Sequence, residues 1–138
     1  MNCIFCEIVR GHAEADILFE DEKVISFLDI NPLNFGHTLV IPKKHYENFY
    51  DVSSEDLNSV INVAQIVSNG IKESLNTDGI NIVVNNGKAA GQSVFHFHLH
   101  IIPRFYNDDI TPKLQLKKYD QKNKKEFAEK IKAALNNK

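Results

Sequence analysis

The segment His96-Phe97-His98-Leu99-His100-Ile101-Ile102 alternates polar and apolar residues until its final position. A period of two belongs to an extended strand, so His96, His98 and His100 share one face while Phe97, Leu99 and Ile101 share the other. The apolar face demands a core to cover it. The polar face demands a purpose, because three imidazoles in one row repel one another once they charge near neutral pH. A chain with this segment must build a sheet with one side buried and the other free for chemistry.

Alternate strand residues lie about 6.6 Å apart, so His96 and His100 are separated by roughly 13 Å along the backbone and cannot both serve one reacting atom. The central His98 is therefore the candidate nucleophile. Positive charge on a flanking ring is expected to keep it a free base at pH 7. A fixed acceptor for one of its ring nitrogens would leave the lone pair of the other available for attack. Such a nucleophile suits phosphorus, because it forms a reactive phosphoramidate that water cleaves. Directly before the row, Gly91-Gln92-Ser93 offers hydrogen-bond donors and a close backbone approach for phosphate.

The rest of the chain supplies the scaffold. Ile4, Phe5, Ile8 and Val9 fall at helical spacing before Gly11, predicting a short helix. Residues 17–20 and 23–28 read as strands joined by an acidic turn, and 38–41 as a strand stopped by Pro42. Ser53-x-x-Asp56 caps a long helix in which Leu57, Val60, Ile61, Ala64, Val67, Ile71 and Leu75 form the buried face. Residues 80–85 and 93–102 form two further strands, paired as a hairpin across a loop, the second stopped by Pro103. Residues 121–136 form a C-terminal helix docked through Phe127, Ile131 and Leu135. Mostly consecutive strands around one long helix predict a single α+β domain over residues 1–138, built on an antiparallel sheet.

The formal charge of −2 excludes bulk attraction to nucleic acid or anionic membrane, so an anionic ligand must be held locally. Nine Lys and three acids put +6 on residues 113–138, leaving −8 on residues 1–112. The basic stretch reads as a solvated helix, since its lysines alternate with Asp120, Glu126 and Glu129. The N-terminus lacks a signal peptide and no segment is apolar enough to span a bilayer, so a soluble, cytoplasmic protein is expected. Both cysteines lie in one Cys3-x-x-Cys6 unit, which fits metal binding or simple burial rather than a disulfide framework. His12, outside every motif, reads as a surface residue.

The row His96-Phe97-His98-Leu99-His100-Ile101-Ile102 resembles the His-φ-His-φ-His-φ-φ signature of the histidine triad (HIT) superfamily. Phe19-Glu20-Asp21, Phe27-Leu28-Asp29-Ile30, Gly36-His37-Thr38-Leu39-Val40-Ile41-Pro42-Lys43-Lys44-His45, Asn85-Asn86-Gly87 and Gly91-Gln92-Ser93-Val94 resemble family segments in the same order. The resemblance runs from about Cys3 to Arg104, and residues 105–138 are an extension carrying the basic helix. It implies a five-stranded antiparallel sheet that pairs with a second copy into ten strands, and nucleotidyl hydrolase or transferase activity on an AMP-type nucleotide. It implies His98 as nucleophile, His100 as a ligand of the phosphoryl oxygens, and His96 as the first triad histidine. Asn85, Gln92 and Ser93 would contact phosphate or leaving group, and Asp29 the ribose hydroxyls. Phe5, Ile8, Phe27 and Ile30 would line the base pocket, with His37 supporting the triad from behind.

Some superfamily members hold one Zn²⁺ between an N-terminal Cys-x-x-Cys, a histidine after the Ile-Pro-x-x segment and the first triad histidine. By position these are Cys3, Cys6, His45 and His96, a structural Cys₂His₂ set. No organic cofactor is expected. Gly91-Gln92-Ser93-Val94 is nearest the Hint branch, whose members hydrolyse purine nucleoside phosphoramidates, whereas Ile102-Pro103-Arg104 is similar to bacterial-type and Fhit-like members, some of which cleave diadenosine polyphosphates. Two competing readings are a metallohydrolase using His-x-His as metal ligands and a non-catalytic nucleotide-binding regulatory module.

Overall fold

The computed structural model describes residues 2–110 and 114–137. Helix α1 (Ile4–Val9) is capped by Cys3, whose sulfur accepts from the Cys6 amide, and ends before Gly11 at φ +78°. Strands β1 (Ile17–Glu20), β2 (Val24–Leu28) and β3 (Thr38–Pro42) follow. Helix α2 (Ser54–Leu75) starts where Ser53 accepts from the Asp56 amide, and it ends at Asn76 in the left-handed conformation. Strands β4 (Gly79–Val83) and β5 (Leu99–Arg104) and helix α3 (Gln121–Leu135) complete the order.

The strands form one five-stranded sheet, β1-β2-β3-β5-β4, with every neighbouring pair antiparallel. Helix α2 covers one face. Val60, Val63, Ala64, Val67 and Ile71 meet Val24, Val40, Phe97, Leu99 and Ile101, each buried apolar side chain stabilising the fold by about 1.5–3 kcal/mol. Helix α1 covers part of the opposite face, where Phe5 and Ile8 meet Ile25, Phe27, Leu39 and Ile41. Strands β2 and β3 are buried on both sides for this reason. Among the described residues, no helix is long and apolar enough to cross a membrane.

Four expectations are corrected. Ile61 and Leu75 are exposed and Val63 joins the core instead, because the buried arc of α2 is centred nearer Val60 and Val67. The histidine segment is only partly strand, since β5 begins at Leu99. Continuing the register past Val40 and Leu99 would set His98 against Ile41 and then Phe97 against Pro42, which has no N–H to donate; the Phe97 amide bonds the Tyr46 carbonyl at 2.7 Å instead. Pro103 lies inside β5 rather than stopping it. Its carbonyl accepts from Asn34 on the side where β3 has already ended, so the missing N–H breaks no ladder bond. Finally, α3 buries no residue, and Phe127, Ile131 and Leu135 are 50%, 60% and 65% exposed rather than docked.

The loop from Asp29 to His37 returns the chain to the sheet through Gly36 at φ +94°. The backbone angle there requires glycine, and a Cβ would also lie 2.6 Å from the tip of Leu75 and 3.2 Å from Pro103. This loop places His37 behind the histidine row.

Candidate active site

The sheet face opposite α2 carries a cleft of about 280 Å³ beside α1. Phe5, Ile8, Phe27, Asp29, Ile30, Ser93, His98 and His100 line it, and Ile30 sits at the mouth, 88% exposed. His96 and His37 are buried outside this lining. Asn85 and Gln92 also lie outside it. Gln92 is fully engaged, its amide donating to the Glu47 and Val94 carbonyls while its oxygen accepts from the Gly87 amide. It holds the loop that presents Ser93.

The hydrogen bonds fix which nitrogen of each imidazole carries the proton. His98 Nδ1 lies 2.7 Å from the His96 carbonyl, which only accepts; Nδ1 therefore donates and Nε2 keeps its lone pair. His96 Nε2 likewise donates to the Pro42 carbonyl at 2.8 Å, leaving its Nδ1 bare. His37 runs the other way. The Leu33 amide donates to His37 Nδ1 at 3.0 Å, so Nε2 bears the proton and donates to His100 Nδ1 at 2.9 Å. His100 must then carry its own proton on Nε2. The row thus presents a nucleophilic nitrogen on His98 and an N–H donor on His100, with ring centroids 4.9 Å apart.

All four rings favour the neutral form. Burial pushes His98 and His37 below the ordinary histidine value, and pushes His96 and His100 down to about 4. The expected cause differs for His98: burial lowers it, while its bond to the His96 carbonyl and the charge of Asp29 pull it back up. Neighbouring histidines add to burial at His96 and His100.

Two clusters have metal-ligating chemistry among the described residues. Cys3, Cys6, His45 and His96 bring their ligand atoms within 4.8 Å of one another, with Cys6 Sγ 3.3 Å from His45 Nδ1 and both sulfurs 3.5 Å from His96 Nδ1. This set fits Zn²⁺: two thiols and two ring nitrogens converge, with His45 Nδ1 3.1 Å from His96 Nδ1, and the Pro42 bond holds His96 in the ligating tautomer. The closed, four-donor set suits a structural ion, which would pin α1 to the histidine segment. Burial and the neighbouring Cys3 raise the Cys6 thiol above its usual value, a cost that metal binding relieves. The second cluster, Asp29, His37 and His100, is different. There the Leu33 amide forces the proton onto His37 Nε2, the atom that would have to ligate, so the cluster is better satisfied as a hydrogen-bond relay.

Residues 10–107 match the HIT domain family. The chain belongs to the HIT family. A HIT-like protein of Methanocaldococcus jannaschii is 51% identical over 77% of this chain and 81% of its own. Adenylylsulfatase HINT3 of Arabidopsis thaliana is 38% identical over 93% of this chain, which spans 65% of the plant protein. A HIT family crystal structure from Bacillus subtilis matches with a TM-score of 0.88 at 37% identity, covering 96% of both chains. A zinc-bound histidine triad family protein of Mycobacterium smegmatis matches with a TM-score of 0.77 at 38% identity, covering 99% of this chain and 97% of its own.

The HIT cleft also contains residues that sequence reasoning missed. Ile4 and Leu39 line it, and their positions beside Phe5 on α1 and opposite Phe27 on β3 were available from periodicity. Glu14 and Ala15 also line it. They stand in an irregular segment with no motif, and only the sheet order brings them to the cleft. His12 is exposed and pairs with Glu7 at 3.1 Å, as a surface residue should.

Proposed function

We propose that this HIT protein hydrolyses purine nucleotides at the α-phosphate, as a purine nucleoside phosphoramidase, through a nucleotide held covalently on His98. The observation that carries this reading is the 2.7 Å bond from His98 Nδ1 to the His96 carbonyl, which leaves a bare Nε2 on a cleft-lining ring. In the first step Nε2 attacks the α-phosphorus, forming a P–N bond as the bond to the leaving amine breaks and the amine takes up a proton. Water then attacks the same phosphorus, the P–Nε2 bond breaks, and a neutral imidazole and a nucleoside monophosphate are released.

His100 donates Nε2–H to a phosphoryl oxygen as its charge grows, and His37 positions His100. Ser93 faces the leaving group, Asp29 takes the ribose hydroxyls, and Phe5, Ile8, Phe27 and Ile30 hold the base. Gln92 positions the loop behind Ser93, and Asn85 contacts the phosphate or leaving group. Zn²⁺ held by Cys3, Cys6, His45 and His96 would supply structural rigidity alone. A second copy joined along the outer edge of β4 would extend the sheet to ten strands, and the free Cys3 and Cys6 thiols suit a cytoplasmic location.

The Arabidopsis relative supports an α-phosphate electrophile, since its name describes cleavage of an adenylyl sulfate. Cleavage of diadenosine polyphosphates is less well supported: Arg104, on which that likeness rests, is bound by Asp108, Asn81 and the Ile110 carbonyl. Rapid-quench trapping with an adenosine phosphoramidate tests the mechanism. A transient adduct on His98 is expected, and His98→Ala should lower turnover at least about 1,000-fold while still binding AMP. Equal turnover by the variant and the parent would sink the nucleophile assignment; a slow parent matched by a tight-binding variant would make the protein a regulatory module.

A further inference from the structure

We propose that Glu14 reads the far edge of the base and selects nucleotides whose base presents N–H donors there, guanine before adenine. This rests on the nucleotide reading of the cleft given above. The sheet order sets the direction in which a nucleotide lies. His98 and His100 belong to the β5 side, Leu39 to β3, Phe27 and Asp29 to β2, and Glu14 and Ala15 immediately precede β1. Three strand spacings of about 4.8 Å separate the β5 side from the β1 side, roughly 14 Å in all. An extended nucleoside monophosphate covers that span with its phosphate at the imidazoles, its ribose near Asp29 and the outer edge of its base at Glu14.

The apolar middle of the cleft does not identify a base. Phe5 and Phe27 meet edge to face, with centroids 5.5 Å apart, and grip any planar ring alike. Discrimination has to come from a polar group at the edge. Of the two carboxylates lining the cleft, Asp29 is engaged, accepting from the Asn31 amide at 2.8 Å and lying 3.5 Å from His37 Nε2. Glu14 has no hydrogen bond or ion pair among the described residues, whereas nearby Glu7 holds both Arg10 and His12. An ionised carboxylate accepts only, through two oxygens side by side. Guanine offers N1–H and an N2 amino hydrogen at matching positions, adenine offers one amino group, and unsubstituted purine offers no donor on that edge.

The test is calorimetric binding of GMP, AMP and purine riboside 5′-monophosphate, which needs no turnover, to the parent protein and to Glu14→Ala. The parent should bind GMP tightest and purine riboside monophosphate weakest, with about a tenfold spread from one charge-assisted contact at a solvent-facing rim. In Glu14→Ala the three should fall within about twofold. Equal binding by the parent, or an unchanged spread in the variant, overturns the role of Glu14 alone. Failure of the parent to bind any of the three overturns the nucleotide reading together with it. Glu14 is exposed, so the variant should fold, and its urea midpoint against the parent checks that it does.

Discussion

Replacing His37 breaks the relay that sets the tautomer of His100. His37 is 3% exposed and makes two hydrogen bonds, from the Leu33 amide at 3.0 Å and to His100 Nδ1 at 2.9 Å. Each is worth about 1 kcal/mol net, and a buried group left without its partner costs about 1–3 kcal/mol. Leu33 is 59% exposed, so water can reach its amide, but His100 Nδ1 faces inward. His37→Phe keeps most of the volume and removes both bonds, so its expected cost is about 2–4 kcal/mol. His37→Ala adds a cavity and should cost more. With its Nδ1 proton state no longer imposed, His100 is free to protonate Nδ1 and turn an acceptor toward the phosphoryl oxygen. The chemical step should slow by about 10- to 100-fold, or about 1.4–2.7 kcal/mol in the barrier, with little change in substrate affinity. Urea denaturation reads the first quantity and single-turnover kinetics the second. A His37→Phe protein with parental stability and parental single-turnover rate would refute the relay. Loss of stability with an unchanged chemical step would show that His37 is structural only.

Two further outcomes follow from the same geometry. His100 is neutral in the fold down to about pH 4, while an unfolded imidazole titrates near 6.5, so between these values the unfolded chain binds more protons. Stability is therefore full above about pH 6.5 and is lost as pH falls toward 4; a urea midpoint unchanged from pH 7 to pH 5 would contradict this. For the metal, one Zn²⁺ per chain is expected by elemental analysis of the purified protein. Cys6→Ser should abolish it and lower the thermal midpoint by more than about 5 °C. Purified protein free of zinc, with a melting curve indifferent to added Zn²⁺, would leave Cys3 and Cys6 as buried thiols.

Much of the site was legible before any fold was known. The alternation from His96 to Ile101 separates the imidazoles from the residues of the α2 core because side-chain direction along an extended chain depends on parity alone. Phe97, Leu99 and Ile101 do enter the α2 core, even though Phe97 lies outside the paired strand. The cap at Ser53 was legible for the same local reason, since a cap side chain bonds an amide three residues ahead. Gln92 was misread as a phosphate donor because nothing local shows that the Glu47 carbonyl lies within reach. The C-terminal helix was read correctly but its docking was not, because an apolar stripe defines a face and not what that face meets.

What the sequence alone determined is the inventory and its facing: which residues can attack, which belong inside, and where helices start. Tertiary structure decided the protonation. A proton sits on Nδ1 of His98 but on Nε2 of His96, of His37 and, through His37, of His100, because the Pro42 and His96 carbonyls and the Leu33 amide stand where they do. It also turned His96 toward the cysteines and carried Glu14 to the cleft. An imidazole has two nearly equivalent nitrogens, and only a partner held at one of them makes them different: His96 and His100 find theirs on distant segments, while His98 and His37 find theirs within four residues, where the folded path of the backbone turns them in.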